Sequence, residues 1–151
     1  MYKKILLPTD GSKNSESAII HALTIASDEH AEIIILNVVD SKHLSSLPDE
    51  ALDKDANAIF EKHSEKAISR VKEIIKENED KFNVKVSTLS LEGNPSEVIL
   101  KVCEKDDIDM VVMANSGKHM VDRFLLGSVT EKTIRQSPVP VLIIPANKNR
   151  K

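Results

Sequence analysis

The chain has 151 residues, enough for one domain with a sizeable core, and 40% of them are apolar. A net charge of −3, with both signs mixed throughout and aromatic content of 3%, excludes a basic nucleic-acid stripe and the stacking platforms that single strands need. No apolar run approaches membrane-spanning length, the N-terminus MYKKILLPTD is too short and polar for a signal peptide, and the sole cysteine, Cys103, points to a reducing cytoplasm.

The first strand is expected over Lys3 to Pro8, where Ile5, Leu6 and Leu7 form the continuous apolar run of a strand buried on both faces. Thr9-Asp10-Gly11-Ser12 then reads as a turn. A helix from about Lys13 to Ser27 places Ala18, Ile19, Ala22, Leu23 and Ala26 on one face. Ala31 to Val39 is a second strand, again apolar on both faces. Residues 40–53 are polar and contain Pro48, so they read as a surface excursion.

A long helix from about Ala56 to Glu79 carries a stripe of Ile59, Phe60, His63, Ala67, Val71, Ile74 and Ile75. That stripe suits a helix laid over a sheet face, with a coiled-coil seam as the alternative. Asn83 to Leu91 alternates and carries polar positions, as a strand at a sheet edge does. Asn94 and Pro95 are an N-cap and first helical position, and that helix buries Val98, Ile99 and Val102. Cys103, on its apolar side, is read as a packed, inert thiol.

Met110 to Met113 is a fourth strand, followed by the small-residue loop Ala114-Asn115-Ser116-Gly117. Nine residues later come Gly127 and Ser128, and a helix from about Val129 to Ser137. Ser128-Val129-Thr130-Glu131 reads as a capping box. A strand, a loop of small residues and a helix N-terminus can cradle phosphate, because backbone N–H groups and the helix dipole favour an anion. The same loop read alone is an ordinary turn. Pro140 and Pro145 bracket a last strand, Val141 to Ile144, which is wholly apolar.

Alternating strands and helices argue a doubly wound parallel α/β sheet in one domain. Such sheets bind ligands beyond the carboxyl ends of their strands, where the winding switches. The polar strand ends are Thr9-Asp10-Gly11 and the loop from Ala114. A site between them requires strands one and four to be neighbours. Neither a nucleophile elbow nor a P-loop is present, and no His or Cys spacing suits a metal.

The chain resembles the universal stress protein family over nearly its whole length. The resemblance lies in Ile-Leu-Leu-Pro-Thr-Asp-Gly-Ser at the start, Asn-Val-Val-Asp closing strand two, and Glu92-Gly93-Asn94-Pro95. It also lies in Leu-Leu-Gly-Ser-Val-Thr-Glu and the closing Pro-Val-Leu-Ile-Ile-Pro. The family's ATP-binding branch carries G-x-x-G, nine residues, then G-[ST]. Here Gly117, Gly127 and Ser128 match, while Ala114 replaces the first Gly. Were that position to need positive φ, Ala would cost about 1–2 kcal/mol.

The resemblance implies a five-stranded parallel sheet in the order 3-2-1-4-5 with helices on both faces, spanning residues 1–147, ahead of a basic tail, 148–151. It implies an adenine nucleotide as ligand: ATP, alone or with Mg2+. Pro8, Thr9 and Asp10 would lie beside adenosine, and Val38 would meet adenine through its backbone. Ala114, Asn115, Ser116, Gly117, Lys118, His119 and Met120 would wrap ribose and phosphates. Ser128, Val129 and Thr130 would close on the phosphates beside Gly127. Lys118 and His119 either neutralise phosphate or are solvated loop residues. The resemblance also implies a homodimer paired through Val141–Ile144 and a nucleotide-dependent switch in stress response, with slow hydrolysis at most. The alternative is an interaction module of the same fold without nucleotide.

Overall fold

The computed structural model describes residues 1–40, 55–115 and 126–145. Five parallel strands form one sheet in the order β3-β2-β1-β4-β5. They are β1 (Lys4–Thr9), β2 (Glu32–Asp40), β3 (Val86–Gly93), β4 (Met110–Ala114) and β5 (Val141–Ile144). The helices are α1 (Lys13–Glu29), α2 (Asp55–Glu77), α3 (Pro95–Lys105) and α4 (Ser128–Gln136). The fold class and strand order expected from the sequence are those observed.

The two apolar faces of the central strands explain the two layers. Ile5, Leu7, Ile33 and Ile35 pack with Ala18, Ile19, Ala22 and Leu23 of α1 and Val71 of α2. Leu6, Leu36, Val111 and Met113 point the other way and pack with Ile99, Val102 and Cys103 of α3. Period-two alternation thus feeds both layers from the same strands. Cys103 is buried, and desolvation pushes its thiol pKa up to about 11, so it stays protonated and inert.

Strand β3 lies at one edge, as its polar positions suggest, and begins at Val86, three residues later than expected. The stripe on α2 differs from expectation. Ser64, Ala67 and Val71 are buried, whereas His63 is exposed. The helix turns its small residues to the sheet, because Ala67 packs over the β1–α1 turn. There Gly11 has φ +80°, and a Cβ on it would stand 3.1 Å from the Ala67 Cβ. A glycine meets both demands, left-handed backbone and close approach. Residues 41–54, with Pro48, and 146–151, with the basic tail, lie outside the described residues.

The central pairing is unequal along its length. Strand β1 pairs with β2 from Lys4↔Glu32 to Thr9↔Asn37. Its pairing with β4 covers Ile5↔Met110 and Leu6↔Val111, then stops. Past that point the ends of β1 and β4 are free to line a cleft, and this is where the chain changes winding direction.

Candidate functional site

The cleft beyond β1 and β4 has a volume of about 110 Å³. Pro8, Leu36, Val38, Pro95, Ile99, Met113, Ala114 and Val129 give it mostly apolar walls, with Thr9, Asp10 and Ser15 as polar members. Of the residues singled out in the sequence, Pro8, Thr9, Asp10, Val38, Ala114 and Val129 are brought together here. Sequence reasoning missed Ser15, Leu36, Pro95, Ile99 and Met113. The signal was available: Leu36 shares Val38's face by strand alternation, and Ile99 lies on the buried stripe of α3.

The β1–α1 turn is held by its own side chains. The Thr9 Oγ1 accepts from the Gly11 N–H at 3.2 Å, and the Asp10 Oδ1 accepts from the Ser12 N–H at 2.8 Å. Ser12 caps α1 by accepting from the Ser15 N–H at 3.3 Å. The Ser15 hydroxyl donates to the Ser12 carbonyl at 2.7 Å, so in the 2.9 Å contact between Thr9 and Ser15 the Thr9 hydroxyl is the donor. Thr9 is therefore a fixed wall whose hydrogen is already spent. Asp10 has one oxygen committed to the turn and its side chain exposed at the cleft mouth.

Ala114 ends β4 in extended conformation, paired in register with Ile144. The non-glycine residues with positive φ among those described are His30 and Asp107. The position therefore makes no demand for glycine, and the methyl group of Ala114 simply lines the cleft.

The next residue, Asn115, is buried, and its Oδ1 accepts from the Gly127 N–H at 3.0 Å. This bond ties the end of β4 to the start of α4 across twelve residues of chain. The N-cap of α4 is Gly127, with φ −63° and ψ 155° and no side-chain cap. The capping box expected at Ser128 is therefore corrected. The helix starts one residue earlier, and Ser128 is its first helical residue, with an exposed side chain. Glu131 is then too far along to reach back, and its carboxylate pairs with Arg135 at 2.8 Å.

The first intrahelical bond of α4 is Glu131 N–H to the Gly127 carbonyl, at 2.9 Å. The N–H groups ahead of it have no acceptor within the helix, as at any helix start. Val129 carries this end of α4 to the cleft wall. Thr130 is fully buried, so its side chain faces the protein interior. Ser116, Gly117, Lys118, His119 and Met120 lie outside the described residues, as does Arg123.

An apolar slot that ends on a helix N-terminus suits a ligand with a flat apolar part and an anionic part. An adenine nucleotide has both. Among the described residues, no three Asp, Glu, His or Cys side chains stand together as a metal site.

Comparison with known proteins fits this geometry. The model of the universal stress protein family matches residues 1–145. The universal stress protein MJ0531 of Methanocaldococcus jannaschii is 36% identical over 148 residues, covering 98% of this chain and 85% of its own. The solved structure of MJ0577, from the same organism, is 36% identical and superposes with a TM-score of 0.80, covering 99% of each chain. A universal stress protein from Archaeoglobus fulgidus, solved in complex with dAMP, shares the fold. Its TM-score is 0.66 at 19% identity, with 94% of this chain and 97% of that one covered.

Proposed function

This chain belongs to the universal stress protein family, and we propose that it binds an adenine nucleotide, ATP above all, in the cleft between β1 and β4. The base and ribose occupy the apolar slot between Val38, Ile99 and Met113. The phosphates lie at the N-terminus of α4, where the Ser128 hydroxyl is not used as a cap. The observation that carries this reading is the Asn115–Gly127 bond, which holds an open helix start at the mouth of the slot. A structure of the same fold in complex with dAMP lends support. Mg2+ accompanies the phosphates.

The bound protein acts as a homodimeric, nucleotide-dependent switch or sensor in the cytoplasmic stress response. No side chain described at the cleft pairs a nucleophile with a base, so rapid hydrolysis is not part of this reading. The rival reading, an interaction module without nucleotide, draws its motive from Ala114 standing where the pattern has glycine. The extended backbone at Ala114 weakens that motive. Calorimetric titration of the purified protein with Mg-ATP tests the proposal. Saturable binding is the expected result, and a flat titration of nucleotide-free protein contradicts it.

A further inference from the structure

The helix α2 is docked more loosely than α1. Its buried residues, among those described, are Ser64, Ala67 and Val71, while Ile59 and Phe60 in its first half are only half-buried. By contrast, α1 buries Ile19 and Leu23 besides its alanines. The ion pair that joins the two helices, Arg70 with Glu16 at 2.8 Å, is exposed and holds little. The second half of α2 is better anchored, since Val71, Ile74 and Ile75 join the same apolar cluster as Phe82, Val84 and Val86.

The seam beneath the first half is polar. Ile33 and Ile35 pack toward α1 and α2, so Asn37, two residues on, faces that layer. Ser90 is its register partner on β3, and Ser64 shares the stripe of Ala67 and Val71 on α2. The Nδ2 of Asn37 and the hydroxyls of Ser64 and Ser90 are buried without a hydrogen-bond partner. Groups so placed cost stability while the helix is down and regain water when it lifts. Docked and lifted positions of this half-helix are thereby brought closer in free energy, as a two-state element requires.

The same half of α2 abuts the nucleotide cleft. Ala67 stands over Gly11, where an added Cβ would lie 3.1 Å from its own. Gly11 follows Asp10, a wall of the cleft, and its N–H donates at 3.2 Å to the Oγ1 of Thr9, another wall. A ligand that fixes Thr9 and Asp10 therefore fixes the surface on which Ala67 rests.

We propose that nucleotide bound in the cleft holds the first half of α2 down on the sheet, and that its release lets this half lift. The proposal rests on the nucleotide reading above and adds the element that carries the state of the site to the protein surface.

The test is amide hydrogen exchange with and without saturating Mg-ATP, in nucleotide-free wild type, Ser64→Ala and Ala67→Gly, with titration showing whether each binds. Mg-ATP should slow exchange over residues 58–67 of wild type about fivefold or more, and over 71–77 by less. Ser64→Ala removes one unpaired hydroxyl, so without nucleotide its residues 58–67 should exchange more slowly than those of wild type. Ala67→Gly opens the contact with Gly11. It should still bind Mg-ATP, yet the nucleotide should change exchange over 58–67 far less than in wild type. Bound Mg-ATP that leaves 58–67 of wild type unchanged, or slows both halves of α2 alike, overturns the proposal. Faster exchange in Ser64→Ala also overturns it, because the hydroxyl then has a partner such as buried water. A full nucleotide effect surviving in Ala67→Gly overturns it too. Should Ser64→Ala fail to fold, Ser90→Ala makes the same comparison from β3. A wild type that binds no Mg-ATP in the titration is a different result, which defeats the nucleotide reading and this proposal with it.

Discussion

The Oδ1 of Asn115 and the N–H of Gly127 meet at 3.0 Å in a buried environment, joining the last residues of β4 to the first of α4. Asn115 follows the strand directly, so its side chain acts as a short strut. The strut fixes where the helix begins and hence where its N–H groups point.

Replacing Asn115 with Ala should therefore affect both stability and binding. The Gly127 N–H is left buried and unpaired, a loss of about 1–3 kcal/mol. The start of α4 loosens, and nucleotide affinity falls with it. Thermal denaturation and nucleotide titration of Asn115→Ala measure the two effects. Unchanged affinity in a destabilised variant would separate the strut from the ligand.

Ala114→Gly restores the residue that the nucleotide-binding pattern carries. Because Ala114 is extended and buried within the strand, glycine relieves no strain there. The variant should lose about 0.5–1 kcal/mol from the greater freedom of its unfolded chain. Its nucleotide affinity should not rise. A marked gain in affinity would mean that the methyl group obstructs the ligand.

Much of this arrangement was legible in the residues, and the exceptions share a cause. Continuous apolar runs at Ile5-Leu6-Leu7 and Ile33-Ile34-Ile35-Leu36 announce central strands, and the stripe from Ala18 to Ala26 announces α1. Each is a local pattern. The cap at Gly127 was misread as Ser128 because the partner that decides it, Asn115, is twelve residues away. The phase of α2 was misread at His63 because Gly11, far back in the chain, selects the small face of the helix.

The start of β1 is pinned by Asp109, whose Oδ2 accepts from the N–H groups of Lys3 at 2.8 Å and Lys4 at 2.9 Å. Those two bonds, Lys3 first, hold the Asp109 carboxyl below the usual carboxylate range. A folded-state pKa below the unfolded value of about 3.9 gives stability above that pH, lost as pH falls through the folded value. Asp109→Asn should cost under about 1 kcal/mol at neutral pH, since solvent screens the pair of bonds. The difference from wild type should vanish in acid, below the folded pKa. Denaturant midpoints of both proteins across pH 2–7 (roughly the titration range) check this.

Strand β5 is a sheet edge made of Val141, Leu142, Ile143 and Ile144, the first three only half-buried in the single chain. An apolar edge of this kind invites pairing, and a homodimer through it is proposed. Ile143→Lys should give monomers in light scattering, with circular dichroism confirming that the fold survives. A folded Ile143→Lys protein that remains fully dimeric would place the interface elsewhere.

The central claim is nucleotide binding at the start of α4, and a thermal melt tests it most directly. Wild-type protein and Gly127→Val are melted with and without Mg-ATP, with AMP and GTP as comparisons. Valine can adopt the φ of −63° found at Gly127, so the variant should fold while its side chain intrudes at the phosphate end. A ligand at a hundred times its dissociation constant adds about 2.7 kcal/mol, a clear rise in melting temperature. The account predicts that rise for the wild type with Mg-ATP and none for Gly127→Val. Equal shifts in both proteins, or no shift in nucleotide-free wild type, would contradict it.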